Sequence, residues 1–347
     1  MSTTNSSNKR ATVALIGCGA PLKSMGWYHA KQLLDGRVQD ADLKFVVEPW
    51  YFSEAAKTAP GYAEFHQWRE EQESRNGIQF FSQVSELPPP ADGEIRLSII
   101  SARTSDNPAL LEACVKVGGT AVYLEKPGAP TVNELEAMRE LAVKAGVKVF
   151  MGFNKNISSY LDTEEELAEC FERNSEGMLK NMAIHELAIL VTYYGVTVDT
   201  IAKVEADKEF SSLKTLKGPS GKPFTDFDRL KFKVVTTAGI EINVAADRCG
   251  GDDSVGVVTE ADSGKELAKF SMPDDDAIAN IPNLKATTGD AMPYFFTQDP
   301  DYLQLKKLVV QNIVKGSPAD GVATIDVAID TLKVAEYLTP ILQEQLK

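Results

Sequence analysis

The chain has 347 residues, 43% hydrophobic and 25% charged, the proportions of an ordinary folded protein with room for two domains of roughly 100 to 200 residues. Its 36 Lys and Arg against 50 Asp and Glu leave a formal charge of −14, a field that repels phosphate backbones and anionic headgroups and argues against nucleic-acid or membrane partners. No run approaches the roughly 18 to 20 apolar residues of a membrane span. No apolar leader follows MSTTNSSNKR, and Cys18, Cys114, Cys170 and Cys249 lie far apart without CxxC spacing. The expectation is a reduced, cytoplasmic protein.

Residues 1–10 are too polar to bury and are expected to form a disordered tail. From Ala11 to Ile16 runs a short apolar segment stopped by Gly17, the form of a strand buried on both faces. Further strands are predicted at 43–48, 78–81, 95–101, 121–125 and 148–152, and helices at 27–34, 62–75, 109–117 and 132–145. Such alternation predicts a doubly wound parallel sheet, because parallel neighbours need a crossover connection. Residues 11–153 therefore read as a Rossmann-like dinucleotide-binding domain.

The pattern then changes. A helix is predicted from Thr163, with Thr163 to Glu166 as a capping box, and another at 184–195 ended by Gly195. Strands follow at 200–206, 228–236, 240–246 and 254–260, and the alternation of DRLKFKVVT (228–236) suits an antiparallel sheet with one packed face. Stretches 218–223 and 273–282 read as surface turns. Two amphipathic helices close the chain, at about 301–315 and 324–346. Residues 154–347 thus read as an α+β domain with a large, mostly antiparallel open sheet, whose free face could pair subunits into a dimer or tetramer.

Gly17-Cys18-Gly19 ends the first strand where a sharp turn lets backbone amides and a helix N-terminus approach a pyrophosphate. The following Ala20 to Met25 lengthens the usual spacing before Gly26 by about four residues. Glu48 ends the second strand, where a carboxylate accepts ribose hydroxyls and repels a 2′-phosphate, so NAD is favoured over NADP. Lys126 follows the fifth strand, at the sheet edge where open α/β folds bind ligands. His185, one of three histidines, has the side chain best matched to proton exchange near neutral pH. His29 is expected to pack structurally and His66 to be exposed. The histidines are scattered, so no metal site is expected.

Glu125-Lys126-Pro127, together with the glycine turn and Met25 to Ala30, Met151 to Asn156, and His185-Glu186 ahead of Tyr194-Gly195, resembles the glucose-fructose oxidoreductase/inositol dehydrogenase (Gfo/Idh/MocA) family. The resemblance implies a substrate cleft between the domains, with Lys126 near the nicotinamide and His185 as the catalytic pair. It implies cofactor contacts from Gly17, Cys18, Gly19, Ala20, Met25, Gly26, Glu48, Ser101, Ala102, Asn107, Glu125 and Lys126. Substrate contacts are expected from Asn181, Asn154, Lys155 and Arg103, the last as a possible carboxylate clamp. Many relatives carry Asp where Asn181 stands, Asp at Ala188 and a basic residue at Val191, so specificity cannot be copied from any of them. The implied activity is hydride transfer between NAD and a secondary alcohol or ketone of a sugar, cyclitol or sugar acid. Imine or aldehyde reduction, NAD-assisted glycoside elimination and a non-catalytic dinucleotide-dependent regulator are the alternatives.

Overall fold

The computed structural model describes residues 9–153, 177–217, 223–247, 254–260 and 263–347. Six parallel strands form the first sheet: β1 (Ala11–Ile16), β2 (Ala41–Val47), β3 (Gln79–Phe81), β4 (Ile95–Ile100), β5 (Ala121–Glu125) and β6 (Lys148–Gly152). Their order is β3-β2-β1-β4-β5-β6, so the chain reverses direction across the sheet between β1 and β4, leaving a crevice beyond their carboxyl ends. The apolar runs are explained by cover on both faces. Val13 and Leu15 of β1 face one core cluster while Ala14 and Ile16 face another.

The crossovers are α1 (Met25–Leu34), α2 (Tyr62–Asn76), α3 (Asn107–Lys116) and α4 (Val132–Ala145), all at or within two residues of the expected bounds. The next described helices are α5 (Met178–Asn181) and α6 (Ile184–Tyr194), and α6 closes on Gly195 in the left-handed conformation, which glycine adopts without Cβ strain. The helix expected from Thr163 lies outside the described residues.

A four-stranded antiparallel sheet follows, with β9 (Pro223–Thr236) paired to β7 (Ile201–Ala206), β8 (Ser212–Lys217) and β10 (Glu241–Asp247). Leu230, Phe232 and Val234 point into a core shared with α5, α6 and the last helix, as the alternation requires. β11 (Ser254–Thr259) and β12 (Glu266–Met272) make a separate antiparallel pair. The whole is an α/β fold with a parallel N-terminal sheet and antiparallel C-terminal sheets.

One stretch departs from expectation. Residues expected to turn at the surface, 273–282, instead enter α7 (Asp275–Thr288), whose N-cap Asp274 accepts a hydrogen bond from the Ala277 amide and which carries Pro282 internally. The Asp274 cap outweighs the proline as a local signal. After α8 (Pro293–Thr297) and α9 (Asp299–Lys315), the chain ends in α10 (Ile325–Gln345). Helices α7 to α9 return to the first sheet: Leu284, Tyr294 to Phe296, Tyr302, Val309 and Val310 share the core cluster of β1 and α1. Along α10, Ile325 to Leu332 pack on the first sheet and Val334 to Leu342 on the second core, so one helix joins the two halves.

Candidate functional site

The crevice begins at the glycine turn. Gly17 and Gly19 have φ of +81° and +68°, values that tolerate few side chains. A Cβ on Gly17 would lie 2.7 Å from the Ser101 carbonyl oxygen beyond β4, and one on Gly26 would overlap the Gly17 oxygen. Gly26 therefore acts as the close-approach glycine between α1 and β1 despite the longer loop. That loop is held by the Ser24 Oγ accepting from the Ala20 amide at 2.9 Å and by the Leu22 carbonyl accepting from the Met292 amide at 3.0 Å. With Ser24 so engaged, α1 has no side-chain cap and no acid in its first turn, a bare N-terminus suited to an anion. Cys18 and Met25 point into the core, so only their backbones can serve a ligand, and burial pushes the Cys18 thiol well above its usual range.

Glu48 directly follows β2 and is only 4% exposed. Its carboxylate accepts from the Gly19 amide at 2.7 Å and the Trp50 amide at 3.1 Å. Burial pushes its pKa up, opposed by these amides. The acid thus braces the glycine turn from within the crevice.

On the other side of the reversal, the Ser101 amide donates to Ile16 at 2.8 Å, tying the loop after β4 to β1. Asn107 is buried and its Nδ2 donates to the Gly128 oxygen at 3.0 Å, linking that loop to the one after β5. Ala102 is half-buried and Arg103 is exposed at the start of a short 3-10 turn.

The second loop carries Lys126, joined to Pro127 by a cis peptide bond. Its Nζ donates to the Asn181 Oδ1 at 2.7 Å and to the Asn181 carbonyl oxygen at 3.2 Å. Asn181 ends α5, and four residues later His185 sits in the first turn of α6, 2% exposed, with its ring edge-on to Phe153 at 6.0 Å. Lys126, Asn181 and the His185 segment therefore meet at the carboxyl edge of the parallel sheet. Asn154 and Lys155 lie outside the described residues.

Glu125 turns the other way. Its Oε1 lies 2.9 Å from the Nε2 of fully buried His29, whose Nδ1 is 2.8 Å from the Nζ of Lys306, itself 1% exposed. Two turns before Lys306 on α9, the Asp299 carboxylate accepts from Tyr28, Gln32 and both terminal nitrogens of Arg37. Sequence reasoning placed His29 in the core but missed these partners. A signal existed, since Lys306 lies on the stripe of Tyr302, Val309 and Val310, where a lysine is out of place unless partnered. His66, expected to be exposed, is half-buried with its Nε2 3.1 Å from the Tyr51 oxygen, because Phe65 anchors that face of α2 in the core.

Residues 12–153 match the model of the GFO_IDH_MocA family, described as an oxidoreductase family with an NAD-binding Rossmann fold. No functionally curated protein matches the chain. Among solved structures, an NAD binding oxidoreductase from Klebsiella pneumoniae superposes with a TM-score of 0.57 at 14% identity, covering 97% of each chain. An oxidoreductase from Agrobacterium radiobacter in complex with NAD+, L-tartaric acid and magnesium gives 0.57 at 14% identity, covering 97% of this chain and 96% of that one. The apo scyllo-inositol dehydrogenase from Lactobacillus casei gives 0.54 at 13% identity, covering 97% of each. At such identities the likeness is one of fold.

Proposed function

We propose that this chain, a member of the Gfo/Idh/MocA oxidoreductase family through residues 12–153, is an NAD-dependent dehydrogenase acting on a secondary alcohol or ketone of a sugar, cyclitol or sugar acid. The observation that carries this reading is the Lys126–Asn181 pair beside the His185 segment, at the edge of a sheet whose strand-order reversal holds a glycine turn and an uncapped helix.

The residues present fit a dinucleotide. The N-terminus of α1 would take the pyrophosphate beside the Gly17 to Ala20 turn, with the Gly19 and Ala20 amides turning to it from Glu48 and Ser24, which hold them in this structure. Glu48 would take the ribose hydroxyls, and its buried carboxylate disfavours the 2′-phosphate of NADP. Ser101, Ala102 and Asn107 line the far side, with Glu125 beneath the edge of β5. NAD supplies the hydride acceptor. Lys126, held by Asn181, would donate to the substrate oxygen and favour the charge that develops on it. His185 would exchange the hydroxyl proton, Asn181 would orient that hydroxyl, and Arg103, with Asn154 and Lys155, would contact the rest of the substrate. The outer face of the second sheet, where Lys231 pairs with Asp207 and Lys233 with Glu241, is the proposed face for a homodimer or homotetramer. A strict monomer by light scattering at micromolar concentration would remove that part.

The test is NADH formation from NAD+ with a panel of cyclitols, aldoses and hydroxy acids, repeated with Lys126→Ala. Turnover that depends on Lys126 supports the reading. Turnover indifferent to Lys126 refutes the assignment, and substrate loss without NADH accumulation would point to elimination with recycled cofactor.

A further inference from the structure

Behind the reacting edge lies a chain of ionisable groups that the hydride-transfer scheme leaves unused. Glu125, His29 and Lys306 come from β5, α1 and α9, and all three are nearly or completely removed from solvent. Both imidazole nitrogens are engaged, Nε2 by Glu125 and Nδ1 by Lys306. An ammonium can only donate, so Nδ1 bears the lone pair and Nε2 bears the hydrogen, which it donates to the carboxylate. Among the described residues no carboxylate lies within ion-pair distance of Lys306; the Tyr302 and Tyr123 rings lie 5.5 and 6.0 Å from its Nζ. A buried ammonium resting on a neutral imidazole is a costly arrangement for packing alone.

We propose that Glu125, His29 and Lys306 form a proton relay behind β5, in which a proton stored on Lys306 crosses the His29 imidazole to reach the Glu125 carboxylate. One N–H bond of Lys306 breaks as Nδ1–H forms, and Nε2–H breaks as the Glu125 O–H forms. The triad passes from ammonium, imidazole and carboxylate to amine, the other imidazole tautomer and carboxylic acid, with no change in net charge. Glu125 is the most exposed of the three, and it adjoins Lys126. The relay rests on the dehydrogenase reading, because carbonyl reduction consumes a proton and alcohol oxidation releases one.

The ionisation behaviour agrees. Burial lowers Lys306 to about 7, against the raising charges of Glu125 and Asp299, while Arg37 lowers it further. Amine and ammonium are therefore both accessible near neutral pH. Burial and the Lys306 charge lower His29 to about 4, against Glu125, so the imidazole passes a proton without keeping it. The groups facing Lys306 are His29 and Arg37 from α1 and its end, Tyr123 and Glu125 from β5, and Asp299 and Tyr302 from α9.

The test is imidazole 15N spectra of the full chain from pH 5 to 9, with His29 assigned by its loss in His29→Gln. The expected result is a His29 that stays neutral while its Nδ1 shift steps near pH 7. Lys306→Met removes the step, and Glu125→Gln moves it to lower pH by removing a charge that favours the ammonium. His29→Gln keeps a donor and an acceptor but cannot exchange tautomers, so its turnover falls at least tenfold while NADH affinity stays within about threefold. A Nδ1 shift flat from pH 5 to 9, or the same step in Lys306→Met, would overturn the relay. Failure of the same samples to bind NADH would instead overturn the dehydrogenase reading and leave the spectra to judge the relay.

Discussion

Replacing Asp299 by Ala tests whether the C-terminal helices hold α1, the helix after the glycine turn, in place. The Asp299 carboxylate is 1% exposed and accepts from Tyr28 at 2.5 Å, Gln32 at 2.7 Å and Arg37 at 2.7 and 2.5 Å. These hydrogen bonds, led by Arg37, hold its pKa below the usual carboxylate range despite burial. Truncation strands the Arg37 guanidinium and the buried Tyr28 hydroxyl, a change that costs about 3 to 5 kcal/mol for a fully buried pair. The Arg37 side chain is 27% exposed, so about 3 kcal/mol is the working figure, or a fall in melting temperature of roughly 4 °C for a chain of this length. Because the folded-state pKa is depressed, this stabilisation is present above about pH 4 and is lost as pH falls through the folded value, so variant and wild type should converge in acid. Thermal unfolding read by circular dichroism, stepped from pH 7 down through the acid range until the two proteins meet, checks both points. The control is Glu344→Ala, whose partner Lys347 is on the surface with the Glu344 side chain 74% exposed, so its melting temperature should match wild type. An Asp299→Ala protein as stable as that control would refute the anchoring of α1 by α9.

Four further outcomes follow from the same geometry. Lys126→Ala should lower kcat by about 10²-fold or more with NADH affinity little changed, as steady-state kinetics and calorimetry would show. Gly26→Ala drives a Cβ into the Gly17 oxygen and should abolish the thermal stabilisation that NADH gives. Glu48→Ser should shift the ratio of NADH to NADPH affinity at least tenfold toward NADPH, measured by calorimetric titration. His29 binds its proton at about 4 in the folded chain and near 6.5 when unfolded, so wild type should lose about 3 kcal/mol as pH falls from 6.5 to 4. In His29→Gln, denaturant midpoints should be flatter across that window.

The parallel sheet was legible because burial on both faces writes itself as short apolar runs, and β1, β5 and β6 begin and end where the sequence put them. The positions of the glycine turn, Glu48 and Lys126 were legible for a related reason: each sits just past the carboxyl end of such a strand, so a correct strand also places the residue at the crevice edge. Asn181 was singled out through the resemblance, four residues before His185, and it meets Lys126 in the structure. α7 was hidden because Pro282 and a run of aspartates read as a turn, whereas Asp274 caps a helix whose apolar residues are few.

What the sequence could not show is pairing at long range. Glu125 and His29 are 96 positions apart and His29 and Lys306 are 277, and no local pattern links them. The return of α7 to α9 onto α1 has the same origin, since Tyr294, Phe295 and Phe296 name an apolar surface without naming the one they cover. Consequences for the site follow directly. The loop after the glycine turn is tied through Leu22 to Met292, the helix behind it through Tyr28, Gln32 and Arg37 to Asp299, and the strand that leads to Lys126 through Glu125 and His29 to Lys306. Each wall of the crevice thus has a support nearly at the other end of the chain, so the proposed dinucleotide site depends on both halves, although the motifs that suggest it lie in the first.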